Sequence, residues 1–568
     1  MKRAFIVLAL LVVVALPFVL RPKRTSAART DATIVIITPH NEAIRYEYSR
    51  GFAKWYQSRT GRTVSIDWRV IGGTSEIARF LEGEYSTAFE NYWRRGLGKP
   101  WSADVEAGFS NGRLPADAPA IVREARAAFL ASNVTCGIDV FFGGGTYDFD
   151  RQARAGRLVD SGLRRLRPEW FTDQTIPRRY GGEDYWHADG LWIGTVLSTY
   201  GILFNRDALR RVGFDREPAA WSDLADPRLI GEVGLADPTK SGSVAKAFEN
   251  ILQQQMQGQL HALENAEPGM TTEERERRAA REGWIAGMRL LQRIGANARY
   301  FTDSSQKPPI DVAAGNCAAG LCIDFYGRQQ QEAVRRRSGS RSAKDVGTGD
   351  HGRDARATTE KNGRGGSATA ERLGYVSPEG GSVASVDPVA LLRGAPNREA
   401  AIAFIEYTLS MEGQMRWNFR PGTPGGPERF ALRRLPVRRD FYAHEEWKAW
   451  RSDPEESPFA QRDPLIYREA WTGNIFREMA FVVRILCQDT HRELTDAWRA
   501  INAAPEPAKT RALAVMQDLS AVDYERTTGE IRRRLGSRDK VDEVRLAREL
   551  GDFVRANYAR AKAIATER

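Results

Sequence analysis

Three short stretches of this chain place glycine, serine and threonine where a predicted strand gives way to a predicted helix. They are Gly72-Gly73-Thr74-Ser75, Gly143-Gly144-Gly145-Thr146 and Ser241-Gly242-Ser243. The first turn of a helix carries unpaired N–H groups and a partial positive charge, so such junctions hold anions. Serine and threonine are also simply good helix caps. It is the repetition in one chain that points to a ligand cleft, with Gly73, Thr74, Ser75, Gly144, Thr146, Ser241, Gly242 and Ser243 as candidate binding residues. His40 and Asn41 follow the first predicted strand directly, and a ring nitrogen in that position can meet a ligand. Asp324 and Tyr326 close a later apolar run, IDFY. Read as the end of a strand, they fall on one side by alternation. Carboxylate and phenolate are hard oxygen donors that suit a hard cation such as ferric iron.

Signatures of other chemistries are missing. The chain has no G-x-S-x-G, no H-E-x-x-H, no C-x-x-C and no phosphate-loop motif. The glycines at 143–145 lack the spacing of a dinucleotide fingerprint. The expectation is a binding protein with no catalytic residues and no catalytic cofactor.

The elements that must position these residues are legible in the periodicity. Thr33–Thr38 is a β-branched run, hence a buried strand. Asn41 is placed to cap a helix from Glu42, whose Ile44, Tyr48, Phe52, Trp55 and Tyr56 form one apolar stripe. Gly61 ends it, Thr63–Val70 is the next strand, and Thr74 or Ser75 caps the following helix. This βαβα unit puts its polar turns at the carboxyl ends of parallel strands, where open α/β sheets bind ligands. Further strands are expected at Gly137–Phe142, as a pair within Tyr185–Phe204, and at Gly381–Leu392. Residues 335–372 are almost free of apolar side chains and read as a mobile low-complexity segment. From Arg429 onward the chain reads as helical and rich in arginine and alanine.

At 568 residues the chain has room for several domains, and with 42% hydrophobic and 28% charged residues it is ordinary globular material. Its net charge of +11 is spread along the sequence rather than gathered in a patch, so no nucleic-acid partner is expected. Lys2 and Arg3 precede the apolar run Ala4–Leu20, with Ser26-Ala27-Ala28 beyond it. That is the pattern of a secretory signal, and an uncleaved inner-membrane anchor fits the same residues. Either way the body faces outward. Four cysteines are too few for a disulfide scaffold; Cys317 and Cys322 could pair in an exported protein, and the favoured reading is that they are small buried residues.

Taken together, Ile34–Asn41, Ile138–Gly144, Tyr200–Asp207, Asp237–Ser243, Tyr300–Tyr326 with Ser304-Ser305, and the helix Pro396–Gln414 resemble the extracellular solute-binding proteins of ABC transporters, in the ferric-iron-binding group. The resemblance implies an α/β, two-lobed type II periplasmic binding fold with helical insertions and an added C-terminal helical region. Its divisions would be a signal peptide or anchor at 1–30, lobe one at 31–200 with an insertion at 85–134, lobe two at 201–330, the low-complexity segment at 331–372, a return to lobe one at 373–430, and a helical region at 431–568. It implies a periplasmic or extracytoplasmic location and capture of ferric iron, with a synergistic anion, or of an anionic small molecule. Delivery would be to ABC permease subunits. Asn41 and Ser305 join the ligand-binding set by this resemblance, and His40, Asp324 and Tyr326 become the metal set. Members that bind iron commonly use two adjacent tyrosines, and here that pair is Phe325-Tyr326. The other function open to the same fold is a membrane-anchored sensor or interaction protein.

Overall fold

The computed structural model describes residues 30–345, 372–460, 464–537 and 539–567, with backbone alone over 336–345 and at 540. The amino-terminal segment and most of the low-complexity stretch lie outside these residues. So do the expectations about them. Among the described residues, no helix is long and apolar enough to cross a membrane.

The chain opens with β1 (Ala32–Ile37), α1 (Glu42–Thr60), β2 (Val64–Arg69) and α2 (Thr74–Asn91). The Asn41 side chain accepts the Ile44 N–H, and Gly61 ends α1 in a left-handed conformation at φ 72°. The expected stripe of α1 is buried from Ile44 to Tyr56. The cap of α2 is Gly73, one residue earlier than expected. Glu76 fixes it by taking the Gly73 N–H at 2.6 Å, so neither Thr74 nor Ser75 serves as cap. Then come β3 (Val140–Phe142), α3 (Thr146–Ala155) and β4 (Ile193–Ser198). Between α3 and β4 a small hairpin pairs Arg179–Tyr180 with Glu183–Asp184.

After one residue, Thr199, the chain leaves this sheet as β5 (Tyr200–Asn205). It continues as β6 (Val233–Ala236), α4 (Gly242–Ala266), α5 (Thr272–Ala296), β7 (Ala298–Thr302) and β8 (Ala319–Ile323). Next are α6 (Asp324–Asp345), β9 (Leu373–Val376) and β10 (Ser385–Leu392). The charged stretch at 273–282 and the amphipathic one after it are thus one helix. A short β11 (Leu435–Pro436) follows, and the chain ends in α7 (Phe476–Val483), α8 (His491–Ala503) and α9 (Lys540–Thr566) with smaller helices between them.

Two sheets result. The first has seven strands and runs β2-β1-β3-β10-β4-β11, with Leu158–Val159 added against β10. The second has five, in the order β7-β6-β8-β5-β9. Strands β1, β2 and β3 are parallel, as are β6, β7 and β8, while β10 and β5 run against their neighbours. The chain crosses between sheets at Thr199 and again between β9 and β10. The result is two lobes, each a sheet with its helices, joined by these two crossings. Leu373–Val376 still belongs to the second sheet, where it pairs with β5, so the return to lobe one starts only at β10.

The region after residue 430 is less separate than its composition suggests. β11 completes the first sheet against β4. Residues 419–460 hold few regular elements, and several of their aromatic and arginine side chains, among them Phe419, Phe441, Arg434 and Arg451, are buried. Only from α7 onward is the chain mainly helical, and there it packs on lobe two. Trp284 donates to the Val522 carbonyl at 2.9 Å, Gln292 donates to the Tyr558 hydroxyl at 2.8 Å, and Trp498 donates to Asn297 at 3.0 Å. All four cysteines are free, and Cys317, Cys322 and Cys487 are buried.

One carboxylate ties residues 428–430 to lobe one. Glu47, fully buried in α1, accepts the N–H groups of Glu428, Arg429 and Phe430 at 2.7, 2.7 and 2.8 Å and pairs with Arg416 at 3.3 Å. Removing it strands three amide donors and a cation. Glu47→Ala is expected to lower stability by about 3–5 kcal/mol, read as an earlier urea unfolding midpoint. A midpoint within error of the parent would show that this anchor contributes nothing.

Candidate functional site

The three strand-to-helix junctions meet. In lobe one the turn before α3 passes so close to the cap of α2 that a Cβ on Gly144 would collide with the Thr74 methyl group. Gly143 and Gly144 take φ values of 89° and 123°, which only glycine adopts readily, and a Cβ on Gly143 would strike the His40 ring. From lobe two, Gly242 at the start of α4 comes up against the same threonine: a Cβ there would lie 3.3 Å from Thr74 Oγ1. A Cβ on Gly73 would lie 3.1 Å from the Lys240 carbonyl oxygen. The lobes therefore touch along the line expected from sequence. What sits at the convergence is the chain's own carboxylate. Asp148, in the first turn of α3, is 5% exposed and takes the Thr74 hydroxyl as hydrogen-bond partner.

The metal set is not assembled. Asp324-Phe325-Tyr326 does not end a strand. It is the first turn of α6, since Asp324 turns back to accept the Phe325 N–H at 2.8 Å and starts a helix. Helical geometry removes the alternation that placed Asp324 and Tyr326 on one side. Asp324 is fully buried, with Thr199 at 3.4 Å and Arg328 at 3.8 Å. Tyr326 lies nearer to Arg434 and Asp387, and burial pushes its hydroxyl up to about 12. His40 is buried against Phe142, with its Nε2 3.5 Å from both Asp387 and Arg434. Burial outweighs the Asp387 charge and keeps the imidazole pKa below its usual value. Among the described residues no group of three or more His, Cys, Asp and Glu side chains could hold a metal ion.

Arg434 is the residue at this centre that sequence reasoning missed. It is fully buried, pairs with Asp387 at 2.7 Å, donates to Ser198 at 2.6 Å and lies 4.2 Å from the Phe325 ring centre. Its contacts reach from lobe one to the start of α6. It comes from a segment with no periodic pattern, so nothing in the sequence placed it there.

Beside the convergence, a cavity of about 620 Å³ opens between the lobes. Lobe one lines it with Thr146, Tyr147, Asp148, Asp150 and Trp192, and lobe two with Gly242, Lys246 and Glu249. The C-terminal region closes the remaining side with Tyr467, Phe476 and Glu478. Of the expected ligand residues, Thr146 and Gly242 line this space. Asn41 and Ser241 spend their side chains capping α1 and α4, and Ser75, Ser243 and Ser305 stay partly exposed outside its lining. Lys246 reaches into the wall between two buried carboxylates, 2.5 Å from Glu183 and 2.8 Å from Glu249. Tyr467 lays its ring 3.7 Å from the ammonium and donates its hydroxyl to Glu249 at 3.0 Å.

Residues 171–431 match the family model described as bacterial extracellular solute-binding protein. A Haemophilus influenzae protein described as uncharacterized is 25% identical over 277 residues, 49% of this chain. The alignment spans 59% of that relative's length. Among solved structures, the periplasmic binding protein AfuA from Actinobacillus pleuropneumoniae, with exogenous fructose-6-phosphate bound, is 15% identical, with 83% of this chain and 98% of that one covered and a TM-score of 0.44. Iron-bound HitA from Pseudomonas aeruginosa is 16% identical, with 81% and 99% covered and a TM-score of 0.40. The chain is thus similar to bacterial extracellular solute-binding proteins in sequence over residues 171–431.

Burial gives the site a measurable pH dependence. Desolvation raises the Asp148 carboxyl from 3.8 to about 6, with Arg151 and Thr74 opposing. A raised carboxyl pKa stabilises the fold below the unfolded value and loses that contribution as pH rises through the folded one. Two units correspond to about 3 kcal/mol. Asp148→Asn is therefore expected to match the parent near pH 3.5 and to unfold at higher denaturant above pH 6. A parallel pH profile for the two proteins would contradict this environment for Asp148.

Proposed function

We propose that the chain is the exported solute-binding component of an ABC import system, capturing a small polar solute between its lobes and presenting it to the permease. The observation that carries this is the cavity of about 620 Å³, walled by both lobes and bounded by the starts of α3 and α4. Its size falls in the range of small-molecule sites. The two crossings at Thr199 and between β9 and β10 are suited to hinge closure around a ligand. We read the chain as a binding protein rather than an enzyme, because no pocket side chains form a nucleophile and base pair with an orienting partner.

Of the two ligand classes expected from sequence, ferric iron has the weaker support. The His40 position holds a guanidinium and its paired carboxylate, and Asp324 is turned toward Arg328. An organic solute suits the cavity's dimensions better. The anchored sensor reading keeps one supporting observation, the region after residue 430 that wraps both lobes. It turns on whether the segment at 1–30 stays attached in the mature protein.

A thermal-shift screen of the purified chain against a small-solute library should find one chemical class that raises the melting temperature. Thr146→Trp, which fills the cavity from the first residue of α3, should abolish that shift. An equal shift in this variant would place the ligand elsewhere.

A further inference from the structure

We propose that lobe one carries a separate ligand site for a phosphate-type oxyanion, in the basin between the end of α3 and the loop at 110–113, with Arg157 at its floor. The basin lies on the flank of lobe one, has no residue of lobe two or of the C-terminal region in its lining, and does not rest on the reading of the interlobe cavity.

The basin measures about 300 Å³, and its polar lining includes Glu82, Ser110, Arg113, Arg151, Arg154 and Arg157. Arg151 and Arg154 stand three residues apart on α3, so they share a face. Gly156 stops that helix at φ 82°, and the Arg157 N–H returns to the Gln152 carbonyl at 3.0 Å, which brings a further guanidinium back to the same basin. The loop closes the other side. Gly112 packs so tightly on the end of α3 that a Cβ there would collide with the Arg154 carbonyl.

Arg157 carries the argument. It is 3% exposed, and among the described residues it makes no ion pair. Its Nη1 donates to Gln152 Oε1 at 2.9 Å and its Nη2 to Ser110 at 3.2 Å, and both of these partners are neutral. The Nε–H has no partner among the described residues. A guanidinium carries more N–H groups than these two bonds use. Burial pushes the Arg157 pKa down to about 10, against the pull of Glu82, as expected of a cation held out of water without a counter-charge beside it.

The neighbours do not supply that charge. Glu82 pairs with Arg151 at 3.0 Å. Arg113 and Arg154, which also edge the interlobe cavity, are exposed, and among the described residues neither makes an ion pair. Arg154 acts at longer range on Asp150, whose carboxylate already takes the Trp192 Nε1–H at 2.7 Å. Behind the basin, Arg126 donates to the Phe109 and Ala155 carbonyls at 3.2 and 2.6 Å, and Arg393 to those of Gly156 and Leu130 at 2.6 and 2.8 Å. The lining thus sets four guanidinium groups against one carboxylate, and counting Asp150 leaves it positive. Guanidinium forks match the oxygens of phosphate and carboxylate. Ser110 accepts from Arg157, so its own O–H can donate to a ligand. Several forks and a hydroxyl converging on one small basin suit a tetrahedral, multiply charged group better than a single planar carboxylate. The phosphate can be a soluble ion or ester, or the headgroup of an anionic phospholipid.

The test is isothermal titration of the full chain with inorganic phosphate. Binding should be saturable, and Arg157→Gln and the double variant Arg113→Ala with Arg154→Ala should each weaken it by about tenfold or more. Because Arg113 and Arg154 are exposed, the double variant should melt with the parent, so its lost binding would not reflect lost folding. Arg548→Ala, at an exposed arginine of α9, and Thr146→Trp, which fills the interlobe cavity, should both bind as the parent does. Cosedimentation with phosphatidylglycerol vesicles, against phosphatidylcholine as reference, separates the two sources: vesicle binding lost in the same arginine variants assigns the site to a headgroup, and phosphate binding without it assigns a soluble phosphate. Neither phosphate binding at millimolar concentration nor vesicle binding, or equal affinity in the parent and both arginine variants, overturns the proposal. If Thr146→Trp abolishes phosphate binding and the arginine variants keep it, the anion lies between the lobes; this site then falls and the interlobe cavity stands as the solute site.

Discussion

The meeting of the two lobes depends on one largely enclosed ammonium. Lys246 leaves α4 in lobe two, meets Glu183 from the hairpin of lobe one and Glu249 from its own helix, and lies on the ring of Tyr467 from the C-terminal region. Thr472, also C-terminal, donates to Glu249 at 2.6 Å. Three parts of the chain that are distant in sequence therefore share one charge cluster. Burying such a cluster is costly, and only good geometry with satisfied hydrogen bonds offsets the cost. It joins the two lobes and the C-terminal region at one point, because its groups come from all three. The Thr74–Gly242 contact and the cavity follow from that meeting.

A second cluster fixes the base of the cleft. Arg434, Asp387 and His40 form a buried group between β4, β10 and the first βα turn, with Phe325 of α6 over the guanidinium. It fills the place where sequence suggested a metal. The cavity lies to the side, between the starts of α3 and α4, where the C-terminal region forms the remaining wall. Here Tyr467, Phe476 and Glu478 belong to the cavity wall.

What the sequence made legible follows from how local each signal is. The α1 stripe, the Asn41 cap and the Gly61 stop are set by neighbours within a few residues, and they fold as read. The glycine junctions were also legible, because positive φ and close approach leave a residue-type mark at Gly143 and Gly144. The first turn of α6 was misread because IDFY suits a strand end as well as a helix start, and only Asp324 turning onto its own helix decides between them. The Lys246 cluster and Arg434 left no mark at all. Lysine in a helix and arginine in an irregular segment look like surface residues, and their burial depends on partners up to hundreds of positions away. The composition after residue 430 likewise suggested a separate appendage, whereas β11 and the Glu47 contacts make its first part integral to lobe one.

Interlobe distance, measured by pulsed electron spin resonance between labels at Arg62 in lobe one and Glu264 in lobe two, tests the role of the Lys246 cluster most directly. In Lys246→Met the carboxylates of Glu183 and Glu249 lose their shared cation and can recover hydration only if the lobes part. The expected result is a distance distribution shifted to longer values and broadened relative to the parent. A distribution that superimposes on the parent's would mean that the lobes stay closed without this ion cluster, and that something else holds them together.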